Sequence, residues 1–183
     1  MKSLQGHLLI ASPKLMDPNF HHSVILMVQH NEEGALGLVL NRPLETSVRE
    51  AWEQVSELPC EVEDPLLKGG PCEGPLMVVH TVASISQVEV LPGVHFSTDK
   101  DAVEQLVGDG DGQARYFVGY SGWTGGQLER EMQEGAWLTL PASADRVFSS
   151  DPQLWDVLLK TITRAAKFPF LDPKLIPDDP SLN

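Results

Sequence analysis

The chain is built from short apolar runs separated by glycine- and proline-rich corners, with a few stretches of helical spacing between them. "HLLIASP", ending at Pro13, predicts a buried strand, and "PKLMDPNFHH" an irregular loop turned at Asp17-Pro18. "SVILMVQH" is β-branched and apolar almost throughout, so it predicts a central strand covered on both faces. "NEEGALGLVLNRP" predicts a turn and then a strand from Ala35 to Asn41, which closes a hairpin.

In "SVREAWEQV" the period changes: Val48, Trp52 and Val55 share a helical face, with Ser47 and Glu50 placed as a capping box. "DPLLKGGPCEGP" reads as a loop and "LMVVHTV" as a strand. "GVHFSTDKDAVEQLV" reads as a short strand and a helix capped by Thr98 or Asp99. "ARYFVGYSGW" predicts another strand, "QLEREMQEG" a short helix with Gly135 at its left-handed end, and "AWLTLPA" a strand. "SSDPQLWDVLLKTI" predicts a helix capped by Ser150 or Asp151, with Pro152 in its first turn.

Hairpins mixed with single helices place the chain in the α+β class, with a mixed, mostly antiparallel sheet. A single domain is expected over 1–163, with an extended or frayed tail over 164–183. Neither a G-x-G-x-x-G turn nor a Walker loop is present.

Composition narrows the partners. Thirteen basic against 26 acidic residues leave a net charge of −13, which repels phosphate backbones, so no direct nucleic-acid binding is expected. Cys60 and Cys72 form neither a disulfide framework nor a zinc motif. The opening "MKSLQGHLLIASP" is too short in its apolar run for a secretory segment, and no run approaches a membrane span. A cytoplasmic protein without membrane association is the expectation.

Three blocks together carry a family resemblance: "GHLLIASPKLMDPNFHHSVILMVQHNEEGALGLVLNRP", "KGGPC" and "GYSGWTGGQLEREM". The chain resembles the YqgE/AlgH family of bacterial proteins from about Gly6 to the helix near Trp155. The resemblance implies an α/β fold with a branched, partly barrel-like sheet flanked by helices. It also implies a link to transcriptional regulation, through one member's connection to alginate control. Cys72 stands where the family usually carries an aliphatic residue, and Thr124-Gly125 replaces a common Gly-Pro or Gly-Ala.

Gly119-Tyr120-Ser121-Gly122-Trp123 places tryptophan where a nucleophile elbow requires glycine, which disfavours Ser121 as a catalytic serine. The same glycines could open a helix toward an anion, although Glu129 and Glu131 compete for that dipole. Asp17, His21, His22, His30, His80 and His95 lack metal-site spacing, and His30 is expected to be a hydrogen-bonded turn residue. "NRP" and "GGP" sit at strand ends, where sites are commonly assembled. If they meet the "GWTGGQLE" corner, Asn41, Arg42, Gly69, Gly70, Ser121, Gly122, Trp123 and Gln127 form a ligand-binding cleft with one cation. Otherwise Arg42 pairs with an acid such as Glu129 or Glu131.

The expected function is non-enzymatic: a regulatory protein binding a small ligand or a protein partner, with no catalytic residue, metal or cofactor. The alternatives are an enzyme, such as a hydrolase, acting on a small anionic substrate, and a DNA-binding transcriptional regulator.

Overall fold

The computed structural model describes residues 2–167 apart from residue 111. It contains two sheets packed face to face. The first has the order β10-β3-β2-β1-β11, the second β4-β5-β9-β6-β8-β7. The strands of the first are β1 (His7–Ala11), β2 (Val24–Asn31), β3 (Gly34–Val39), β10 (Ser121–Thr124) and β11 (Trp137–Pro141). Those of the second are β4 (Pro43–Ser47), β5 (Pro65–Lys68), β6 (Met77–His80), β7 (Val88–Leu91), β8 (Val94–Ser97) and β9 (Ala114–Val118). Every strand pair is antiparallel except β5 with β9. The mixed α+β class is as expected, and the branched, barrel-like sheet resolves into two sheets with no closed barrel among the described residues.

Successive side chains on a strand point to opposite faces, and this sorts the apolar runs into layers. Leu8 and Ile10 face the space between the sheets with Leu26 and Leu38, against Val79 and Phe117 of the second sheet. Their neighbours Leu9 and Ala11 face outward, where Ile25, Met27 and Trp137 join them under helix α3 (Gln127–Gln133). This is why β2 needs to be apolar throughout: it is a central strand covered on both sides. The outer face of the second sheet lies under α1 (Val48–Glu53) and α2 (Lys100–Asp109), through Val48, Trp52, Val103 and Leu106 against Val78 and Tyr116.

The short α4 (Ala144–Val147) and the long α5 (Leu154–Lys167) complete the described fold. Leu154, Trp155 and Leu158 of α5 seal the inter-sheet core. Trp155 anchors the helix by donating its indole N–H to the Ala11 carbonyl at 2.9 Å.

Local signals are met in part: Pro152, expected in the first turn of the last helix, lies ahead of α5, which begins at Leu154. Ser47 and Glu50 form the full capping box of α1, and Gly135 follows α3 at φ 75°. Asp99 is the N-terminal flank of α2 but makes no side-chain cap bond there.

Two expectations are corrected. "DPLLKGGP" is not all loop: Leu66 and Leu67 are buried in β5, because pairing with β4 and β9 satisfies a backbone that its short apolar content does not announce. "ARYFVGYSGW" is not one strand: it breaks at Gly119-Tyr120, and the two halves lie in different sheets. The first residues of the expected tail, 164–167, are the last turn of α5. The rest, 168–183, lies outside the described residues.

Candidate functional site

At the sheet-switching corner, "KGGP" bonds on one side to the strand end before "NRP" and on the other to the Gly119-Tyr120 break. Val39 N–H donates to the Gly69 carbonyl and Lys68 N–H to the Arg42 carbonyl, both at 2.9 Å. Gly69 N–H donates to Val118, and Cys72 and Tyr120 exchange backbone bonds at 3.0 Å in each direction. Such close backbone approach requires glycine. A Cβ on Gly70 would fall 2.3 Å from the Tyr120 carbonyl, and one on Gly69 2.3 Å from the Gly119 oxygen.

Beside this knot lies a cleft of about 130 Å³ lined by Pro18, Asn19, Val39, Arg42, Lys68, Gly70 and Pro71. Its far wall is the loop before β2, which the "NRP" segment holds in place. Asn41 accepts from Val24 N–H at 2.9 Å and donates to the His22 carbonyl at 2.8 Å, while Arg42 donates to the His21 carbonyl. These two grips flank His22, which sits at φ 54° with its ring stacked between His21 and Trp155. A left-handed non-glycine residue is strained, and here the clamped carbonyls on either side hold it.

Burial pulls the Arg42 guanidinium below its ordinary value, though an arginine stays charged at neutral pH. Among the described residues neither Arg42 nor Lys68 is ion-paired with a carboxylate. The acids considered for Arg42 are engaged elsewhere. Glu129 pairs with His30 at 3.0 Å, and Glu131 accepts the indole N–H groups of Trp123 and Trp137.

The sequence-derived residues therefore divide. Arg42 and Gly70 line the cleft, and Asn41, Gly69 and Ser121 brace it from behind through the bonds above and Ser121 Oγ to the Gly69 carbonyl at 3.1 Å. Gly122, Trp123 and Gln127 are not among its lining residues. Trp123 packs with Phe20 and Trp137 beyond the first sheet, and Gln127 is tied to Thr124 and Glu131. The physical reason is the chain's direction after Tyr120: β10 pairs with β3, and this carries the corner away from the cleft. Lys68, Pro18 and Asn19 are lining residues that sequence reasoning left out. The "KGGP" spacing, which sets a lysine at the glycine pair, was the available signal for the first of them.

Ser121 is fully buried, its hydroxyl spent on Gly69. The histidines also have structural roles. His30 accepts Leu4 N–H at Nδ1, so its Nε2–H donates to Glu129. His80 accepts Val82 N–H at Nδ1, and Ser97 Oγ donates to the Ile85 carbonyl, so His80 Nε2–H donates to Ser97. No group of three metal-ligating side chains occurs among the described residues, and Cys60 and Cys72 are free thiols. Among the same residues no helix is long and apolar enough to cross a membrane.

Fold and corner define a two-sheet α+β protein with a glycine-built junction where the chain passes from one sheet to the other. The AlgH-like family model, DUF179, matches residues 8–167, and the chain belongs to that family. A UPF0301 protein of Chlorobaculum tepidum is 41% identical over 157 residues, covering 82% of each chain. One from Thermobifida fusca is 36% identical and covers 99% of this chain and 96% of its own. The solution structure of AlgH from Pseudomonas aeruginosa superposes with a TM-score of 0.71 at 32% identity, covering 98% of both chains. A Corynebacterium diphtheriae crystal structure shares the fold, with a TM-score of 0.68 at 23% identity over 87% of each chain.

Proposed function

We propose that this chain is a non-enzymatic binding protein with a regulatory role, and that the Arg42–Lys68 cleft takes the carboxylate or phosphate end of its ligand. The observation that carries this reading is the pair of cations lining one small cleft in a chain of net charge −13, neither of them matched by a carboxylate. Two unneutralised cations with glycine backbone beside them favour an anionic group. The volume of about 130 Å³ is below that of a typical small-molecule pocket, so the cleft seats one anionic group while the rest of the ligand lies outside. A serine whose hydroxyl is buried and committed gives no support to acyl-transfer chemistry. The acidic surface weighs against a duplex nucleic acid as the ligand.

The test is a phosphate and acetate titration followed by amide chemical shifts, with native mass spectrometry of gently purified protein for a co-purifying anion. Lys68→Gln is the informative variant, because the Lys68 side chain is exposed and makes no described bond. It should weaken phosphate binding about tenfold, the scale of one charge-assisted contact. Undiminished binding in that variant, or shifts that avoid Asn19, Lys68 and Gly70, would overturn the proposal.

A further inference from the structure

A second, larger cavity of about 310 Å³ lies where the starts of β5 and β9 diverge, and it shares no lining residue with the Arg42 cleft. Its walls include two opposite charges, Asp64 and Arg115, with Leu67 and Phe148 as apolar surface and Gln113 and Ser150 as polar rim.

The two charges feel one another but do not meet. Asp64 opposes the effect of burial on the Arg115 guanidinium, yet among the described residues no ion pair joins them. Arg115 places one Nη1–H on the Val147 carbonyl at 3.0 Å, and the rest of its fork is in no other described bond. That single bond fixes the side chain against α4, while the planar donor set stays available to a carboxylate. Tyr116, also lining the cavity, is 2% exposed, and its hydroxyl is buried without a partner. Burial and the nearby Cys60 and Asp64 all hold that phenol in its protonated form, so it is a donor in want of an acceptor.

We infer that this cavity binds a free α-amino acid with an uncharged side chain: the carboxylate on Arg115, the ammonium on Asp64, the side chain against Leu67 and Phe148. A ligand carrying both charges bridges a gap that the two side chains leave open. It also brings no net charge to a chain that repels anions as a whole. The volume of about 310 Å³ sits at the small end of ligand pockets and accommodates a molecule of amino-acid size.

Calorimetry on the full chain with L-leucine, L-phenylalanine and L-glutamine tests this, against isocaproate and isoamylamine, which each keep only one of leucine's two charges. At least one amino acid should bind, and each single-charge analogue should bind about tenfold or more weakly, the scale of a lost charge-assisted contact. Asp64→Asn should bring amino-acid binding down to the analogue's level without altering the fold, since the Asp64 side chain is exposed. Arg115→Gln should do the same, with circular dichroism checking that the loss of the Val147 contact has not unfolded it. Lys68→Gln should leave amino-acid binding unchanged. The inference falls if none of the three amino acids binds at millimolar concentration, if isocaproate binds as tightly as leucine, or if Asp64→Asn binds as the parent does.

Discussion

The indole N–H of Trp123 donates to Glu131 Oε2 at 2.9 Å, and the Trp137 indole donates to the same oxygen at 2.8 Å. One carboxylate on α3 thus ties β10 to β11, the two edges of the first sheet, while its other oxygen accepts Gln127 Nε2–H at 3.0 Å. Glu131→Ala leaves two buried indoles without an acceptor and should cost about 2–4 kcal/mol, as for other hydrogen bonds to a charged group. Glu131→Gln keeps one acceptor oxygen but turns an amide donor toward Gln127, so a loss of about 1 kcal/mol is expected. Denaturant unfolding followed by tryptophan fluorescence measures both, and equal stability of the two variants would contradict this account.

The glycines of the junction are not equivalent. A Cβ on Gly70 would press on backbone, 2.3 Å from Tyr120 C and O and 2.4 Å from Ser121 N. A Cβ on Gly122 would meet side chains alone, the edge of the Tyr120 ring at 3.2 Å and Cys72 Sγ at 3.9 Å. Gly70→Ala should therefore destabilise by about 3 kcal/mol or more, at the upper end of overpacking effects, and Gly122→Ala by less than about 1 kcal/mol. Thermal unfolding of the pair decides whether backbone approach or local flexibility is what the corner requires.

Most of the sheet strands were legible because alternation and apolar runs are local signals. Leu8 to Ala11 announce a buried strand and Val24 to Val28 one covered on both faces, and the structure covers both strands on both sides. β5 was not legible, since Pro65-Leu66-Leu67-Lys68 becomes a strand through its pairing with β4 on one side and β9 on the other, contacts between distant segments. For the same reason the break at Gly119-Tyr120 was hidden: nothing in "ARYFVGYSGW" says that its halves belong to different sheets. "NRP" and "GGP" were singled out by their strand-end positions, but the third segment was expected to be "GWTGGQLE", whereas Gly119-Tyr120-Ser121 is what bonds to the Gly69–Cys72 stretch. That Trp123 leaves this junction depends on β10 pairing with β3, a contact between distant segments. The Asp64–Arg115 cavity had no sequence signature at all, being a gap between two strands.

Ser121 gives a sharp separation between packing and chemistry. Its hydroxyl is bonded to the Gly69 carbonyl, which also accepts Val39 N–H, so removing the hydroxyl leaves no acceptor orphaned. Ser121→Ala should cost only about 0.5–1.5 kcal/mol, the net worth of one neutral hydrogen bond. Phosphate binding in the Arg42–Lys68 cleft should stay near the parental level. A variant of normal stability that lost an enzymatic activity of the parent would reinstate the serine as a catalytic group.

The His80 side chain carries the fold's clearest pH dependence. Burial first, and the neighbouring His95 second, lower its pKa to about 4, against an ordinary value of 6.5. The fully buried ring is held neutral, with Val82 N–H donating to Nδ1 and Nε2–H donating to Ser97. The unfolded chain takes up the proton near pH 6.5 while the folded chain resists it to about pH 4. Its contribution is therefore fully present above pH 6.5, and stability falls as pH drops through that window. By linkage the loss from this one group approaches about 3 kcal/mol at pH 4. Urea unfolding from pH 7 to pH 4 should show that decline, and His80→Gln should flatten it while lowering stability at pH 7. An unchanged pH slope in the variant would assign the acid sensitivity to another group.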